Sequence, residues 1–419
     1  MLSSQSSTLY QRLPKELLEE LLLYLTPDEV FRLHKMDPIF ERAGDRESFW
    51  EKLWSIYVSD RRQPDKSSSE SVREKLRQFA EEVWTLSPKE LLRRGFENGA
   101  LFQINIAMNR GARLEENLDT YLVLAAMNGY LGYVDRLIKC GANIHFLKDR
   151  ALLAAVLNCD LHMVRYLVES GADVSANNDA ALRWAVFEGH TDIVKYLVEN
   201  GANVHLSDDM LLHQAAARGY LDIVRCLVEN GADIHSHDEL ALCRAAELGH
   251  LEIVKYLVES GANIHVTTGY AGYGGVLNCA TWGGHLEIVK YLVSQGADIF
   301  QEHGRVLLDA VEFNHLELVK YFVEQGINVR AQSGALNIAA GHGFYEIVKY
   351  LIESGADLHV VNESPLLEAI RNGSHDVVQY LIKHGADVRI LDREGVWINP
   401  RLRFKDDTEV LRLIIRSGL

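Results

Sequence analysis

Ten glycines, Gly111, Gly141, Gly171, Gly201, Gly231, Gly261, Gly296, Gly326, Gly355 and Gly385, are each followed by Ala or Ile, and successive ones lie 30, 30, 30, 30, 30, 35, 30, 29 and 30 residues apart. A period of this length marks a solenoid, because a unit of about 30 residues cannot bury its own apolar face and must stack on copies of itself. The 419 residues therefore count repeats rather than domains. An array of this kind is a scaffold for holding something else, which points to recognition rather than catalysis.

One unit, Leu240 to His265, shows how each repeat is built. Leu242, Ala245 and Ala246 share one face of a short helix that Gly249 ends, since glycine reaches positive φ freely. Leu251, Ile253, Val254, Leu257 and Val258 then recur at helical spacing until Gly261. The spacing predicts two helices per unit. It also predicts i,i+4 ion pairs on the outer face, Lys195 with Glu199, Lys255 with Glu259, Lys320 with Glu324 and Lys349 with Glu353.

The string AAELGHLEIVKYLVESGAN, echoed by GHTDIVKYLVENGAN from Gly189 and GHLEIVKYLVSQGAD from Gly284, resembles the ankyrin repeat over roughly three quarters of the chain. The resemblance implies helix pairs in an L-shaped stack, with ten full units ending at Gly141 through Gly418 and a divergent opening unit from Phe96 to Gly111. The unit is about three residues shorter than the family's and lacks its Thr-Pro-Leu-His, Ser364-Pro365 being the nearest remnant. Shortened loops with little strand are therefore expected. In style the array resembles the multi-copy ankyrin proteins of giant amoebal viruses, protists and fungi.

Ahead of the array, LPKELLEELLLYLTPDEVFRLHKM reads as two amphipathic helices, followed by the cluster Phe49, Trp50, Leu53 and Trp54. The string from Leu13 through Trp50 resembles the F-box, although Met36-Asp37-Pro38-Ile39-Phe40 replaces that family's usual pattern. The resemblance implies docking on the Skp-type adaptor of a cullin ubiquitin ligase through Leu13, Pro14, Leu17, Leu18, Leu21 and Leu25. The other reading is that these helices only cap the stack. The expected organisation is all-α: an F-box-like bundle over 9–61, a linker and capping helices over 62–95, and ankyrin repeats over 96–419. Within the capping segment, Ser87-Pro88 with Glu90 starts a helix that Gly95 is expected to end.

With 43 Lys and Arg against 59 Asp and Glu the net charge is -16, which repels phosphate backbones and anionic lipid. No stretch of about 18 apolar residues suggests a membrane span. Five cysteines with no C-x-x-C pair indicate neither a disulfide framework nor a zinc site, so a reduced compartment, cytoplasm or nucleus, is expected. Nucleotide-loop, zinc-protease and serine-hydrolase motifs are all missing, and neither catalytic residues, metal nor cofactor is expected. His145, His205, His235, His265 and His359 recur at one point of the repeat, and His190, His250, His285 and His315 at another. Both sets read as loop-stabilising rather than metal-ligating, because stacked helices lie about 8–10 Å apart. The tyrosines that recur once per unit, Tyr256 and Tyr291 among them, read as packing.

The informative positions are those that vary between otherwise similar units. Residues beside the Ala pair, Met127, Leu157, Trp184, Phe187, Leu248, Trp282 and Phe313, are expected to line one apolar groove that binds a target protein. The run Gly269 to Gly275 is the insertion behind the 35-residue step, and Tyr270 and Tyr273 on it are further candidate contacts. The expected product is a monomeric substrate receptor that joins adaptor and target protein. The runner-up is a scaffold or competitor with no ligase.

Overall fold

The computed structural model describes residues 85–266, 275–359 and 364–390. The chain divides into two compact units, Met1–Trp184 and Ala185–Leu419. Among the described residues there are twenty α-helices, two short 3-10 turns and no strand. In the first unit α1 (Pro88–Asn98) pairs with α2 (Leu101–Asn109), α3 (Leu118–Met127) with α4 (Leu131–Lys139), and α5 (Arg150–Leu157) with α6 (Leu161–Glu169). Helix α7 (Ala176–Glu188) crosses the division. In the second unit follow α8 (Thr191–Glu199), α9 (Met210–Arg218), α10 (Leu221–Glu229), α11 (Ser236–Glu247), α12 (Leu251–Glu259), α13 (Val276–Trp282) and α14 (Leu286–Ser294). Then come α15 (Arg305–Glu312), α16 (Leu316–Glu324), α17 (Ser333–His342), α18 (Tyr345–Glu353), α19 (Ser364–Asn372) and α20 (His375–Lys383).

Small residues decide which helices touch. Within the second unit the first helices of the repeats, α9, α11, α13, α15, α17 and α19, pack successively on one another, and the second helices form a looser row of their own. Ala215, Ala216, Ala245, Ala246, Ala339 and Ala340 are fully buried at the first-helix contacts, where the absence of a longer side chain lets backbones approach. Each second helix buries an aliphatic stripe, such as Ile253, Val254 and Leu257, against its partner. Both helices of a pair end alike: Gly261 takes φ 101°, and Ala262 N–H returns to the Leu257 carbonyl at 3.0 Å. The bond satisfies an orphan carbonyl of the last turn.

The loops are short because they do not form hairpins. Asn or Asp after each Gly-Ala or Gly-Ile accepts the backbone N–H two residues on, at 2.8–3.0 Å from Asn143 through Asp387. In four repeats three successive residues are left-handed: Leu147–Asp149 and Asn177–Asp179 in the first unit, Ser207–Asp209 and His237–Glu239 in the second. Asn, Asp and His tolerate that region best, and they supply most of these positions. The turn leads straight into the next helix, replacing the strand that a longer loop would build.

Three details differ from the sequence reading. Helix α1 runs past Gly95 to Asn98, because Gly95 is buried where a Cβ would meet Ile104 N at 2.9 Å, and Gly99 at φ 64° makes the stop. The opening helix pair thus begins at Pro88, ahead of Phe96. Two of the four lysines expected to pair forwards, Lys255 and Lys320, instead reach back to Glu252 and Glu317 at 2.8 and 2.7 Å, as Lys290 does to Glu287 at 2.8 Å. Helical side chains lean towards the N-terminus, so the carboxylate one turn earlier is the nearer partner.

Asn314 takes φ 61° where most repeats place glycine to end the first helix. Asn314→Gly is expected to stabilise the protein by about 1 kcal/mol, the order of the left-handed penalty it removes. The urea midpoint of the variant against the parent checks this.

Candidate partner-binding edge

The first helices end on residues that packing does not need. Met127, Leu157 and Trp184 in the first unit, and Phe187, Leu248 and Phe313 in the second, are between 40% and 48% exposed, whereas the alanines beside them are buried. Trp282 is half-buried. In the second unit the Arg218 guanidinium lies 3.8 Å from the centre of the Phe187 ring, and the Trp282 and Phe313 rings lie 6.4 Å apart. Arg218 covers an apolar face with a cation, at a distance suited to a cation–π contact. Tyr270 and Tyr273 fall outside the described residues, as do Leu13, Pro14, Leu17, Leu18, Leu21 and Leu25.

The edge is held by donors from the next repeat. His250 Nε2 bonds the Ala217 carbonyl at 3.0 Å, His285 the Glu247 carbonyl at 3.0 Å, and His315 the Trp282 carbonyl at 2.9 Å. Each carbonyl belongs to the last turn of a first helix, where no intrahelical N–H reaches it. In the first unit Asn128 Nδ2 serves the Phe96 carbonyl at 2.8 Å, and Asn158 Nδ2 serves that of Met127. The recurring histidines of the turn thus fix the backbone at Leu248 and at Trp282.

At the opposite end of the repeats the second histidine set faces buried carboxylates. His145 Nδ1 and His205 Nδ1 lie 3.1 Å from Asp149 and Asp209, and His235 Nδ1 lies 2.6 Å from Glu239. Asp149 also accepts the Asp173 N–H at 3.0 Å, tying neighbouring loops together. The Glu239 carboxylate raises the His235 pKa above its ordinary value. His213 behaves in the opposite way: burial first, then the neighbouring His237, brings it down to about 4. The Cys279 thiol is pushed up by its hydrogen bond with Cys243 and by burial, which makes it a poor nucleophile.

Sequence reasoning missed the buried carboxylates and His213. At the place that His213 occupies, other repeats carry Val123, Leu153 and Cys243, so a polar residue on an apolar stripe was the available signal. Among the described residues no group of three or more His, Cys, Asp or Glu side chains is placed to hold a metal ion, and no helix is long and apolar enough to cross a membrane.

A family model described as ankyrin repeats (3 copies) matches residues 122–208, 205–268, 270–333 and 307–392. No curated protein matches the chain. Among solved structures the human ASB11 ankyrin repeat domain is similar, at 24% identity over 49% of this chain and 98% of that one, with a TM-score of 0.43.

Proposed function

Since the chain belongs to the ankyrin-repeat family, whose repeats are protein-binding modules, we propose that the exposed side chains at the first-helix ends hold a target protein. The observation that carries this reading is the contrast within single helix ends: Ala245 and Ala246 are fully buried, and Leu248 just beyond them is 44% exposed. Packing accounts for the alanines, whereas Leu248 and Phe313 at the same helix ends leave 44% and 48% of their surface open to solvent. Large apolar groups lined up on a protein surface mark an interaction site, and aromatic anchors carry most of the affinity of such sites. Phe313→Ala is expected to weaken target binding about tenfold or more while moving the unfolding midpoint little. Binding isotherms paired with urea melts of the same variant separate the two effects, and unchanged affinity would move the site elsewhere.

The proposal extends to the chain's amino-terminal segment. The Leu13–Trp50 string supports a substrate receptor, with Leu13, Pro14, Leu17, Leu18, Leu21 and Leu25 docking a Skp-type adaptor of a cullin ligase. On this reading the chain performs no catalysis of its own and works in the cytoplasm or nucleus. Co-purification with the adaptor tests it: recovery should be lost when Leu13→Ala and Pro14→Ala are combined. If that variant recovers the adaptor as the parent does, or the parent recovers none, the chain is the non-ligase scaffold instead.

A further inference from the structure

The charges around the strip in the second unit select the chemistry of what it holds. Glu188, Glu247 and Glu312 are each the last residue of their helices, directly beside Phe187, Leu248 and Phe313. A carboxylate is disfavoured there, because the last carbonyls of a helix already carry partial negative charge. Helix stability therefore does not explain a glutamate in the last turn of three first helices. Glu247 is offset by Arg244 at 2.8 Å, whereas Glu188 and Glu312 are exposed and have no ion pair among the described residues.

Across the turn, Asp192, Asp222, Glu252, Glu287 and Glu317 are all exposed in the first turns of the second helices. There a carboxylate has a structural reason, the positive end of the helix dipole. Lysines of the same helices neutralise three of the five. Of the arginines at these helix ends, Arg218 is stacked on Phe187, and Arg244 and Arg371 are paired with Glu247 and Glu368. The net field along the apolar anchors is thus negative, and the exposed Phe313 ring offers a face that attracts cations.

Resting on the reading that this strip binds protein, we propose that its occupant is a basic amphipathic segment, in which apolar side chains fill the spaces along Phe187, Leu248 and Phe313 while Lys or Arg meets Glu188 and Glu312. An acidic segment of the same shape is repelled. The strip selects for charge as well as for apolarity.

Three labelled peptides test this on the full chain by fluorescence anisotropy: a leucine–lysine amphipathic helix, the same helix with every lysine replaced by glutamate, and a scrambled leucine–lysine sequence with no apolar face. The leucine–lysine helix is expected to bind at least about tenfold more tightly than either other peptide. Its affinity should fall about tenfold with Glu188→Gln and Glu312→Gln combined, with Phe313→Ser, and with added salt. Binding of the acidic helix as tight as that of the basic one overturns the charge assignment. So does a basic helix that ignores the two Glu→Gln changes, or that fails to bind. If Phe313→Ser weakens basic and acidic helices alike, the strip remains a binding site and only the charge inference fails. If Phe313→Ser weakens neither, the binding reading fails with it.

Discussion

Replacing His213 with leucine is expected to remove about 3 kcal/mol of acid sensitivity from the protein. The imidazole is 3% exposed, neither ring nitrogen has a hydrogen-bond partner among the described residues, and its ring stands edge-on to that of His237 at 5.1 Å. Burial and His237 hold its pKa at about 4 against an ordinary 6.5, with Asp209 and the Ser236 backbone opposing them only in part. Between those two values the unfolded chain takes up a proton that the folded chain refuses. Stability is therefore complete above pH 6.5 and falls as the pH drops towards 4, by about 1.4 kcal/mol for each unit. Leucine cannot titrate and leaves no unmade hydrogen bond, so the variant should also be at least as stable as the parent at neutral pH. Urea midpoints of parent and variant across that pH range check this, and parallel profiles would show that His213 titrates normally.

Gly249→Ala is expected to cost about 3 kcal/mol or more, and Gly261→Ala about 1–2 kcal/mol, although both glycines end helices of the same repeat. Both have positive φ, 85° and 101°, so either alanine meets the left-handed penalty. At Gly261 no described residue lies within 4 Å of an added Cβ. At Gly249 the same atom would fall 2.5 Å from His285 Cε1. The imidazole must then leave the Glu247 carbonyl, which adds the loss of an inter-repeat hydrogen bond to the overpacking. Equal losses in the two variants, measured as shifts in the urea midpoint, would mean that the ring yields freely and that backbone conformation alone requires the glycine.

The helix pairs were legible because glycine and alanine report backbone needs directly: Gly249 and Gly261 mark stops, and Ala245-Ala246 marks a close helix contact. The loops were legible only in length. Their left-handed turns, such as His237–Glu239, follow from the missing residues, but nothing local in the sequence distinguishes them from an ordinary polar loop. The Gly-His pairs read as local turns, yet His285 acts on a carbonyl 38 residues earlier, a partner that only stacking brings near. Lys255 had a carboxylate on either side, Glu252 and Glu259, and side-chain direction chose the first. Phe187, Leu248 and Phe313 could be picked out by their variation between units, whereas the half-burial of Trp282 depends on its packing beside Phe313.

Site-specific photo-crosslinking in cells examines the binding reading most directly. A photoreactive phenylalanine analogue is placed at Phe313, and, in a separate protein, at Lys320 on the outer row of helices. The expected result is a discrete crosslinked protein from position 313 that disappears when Phe187 and Leu248 are both replaced by serine, with no such product from position 320. A product from position 320 alone, or one from 313 that survives both serines, would contradict the assignment of the first-helix ends as the face that holds the target.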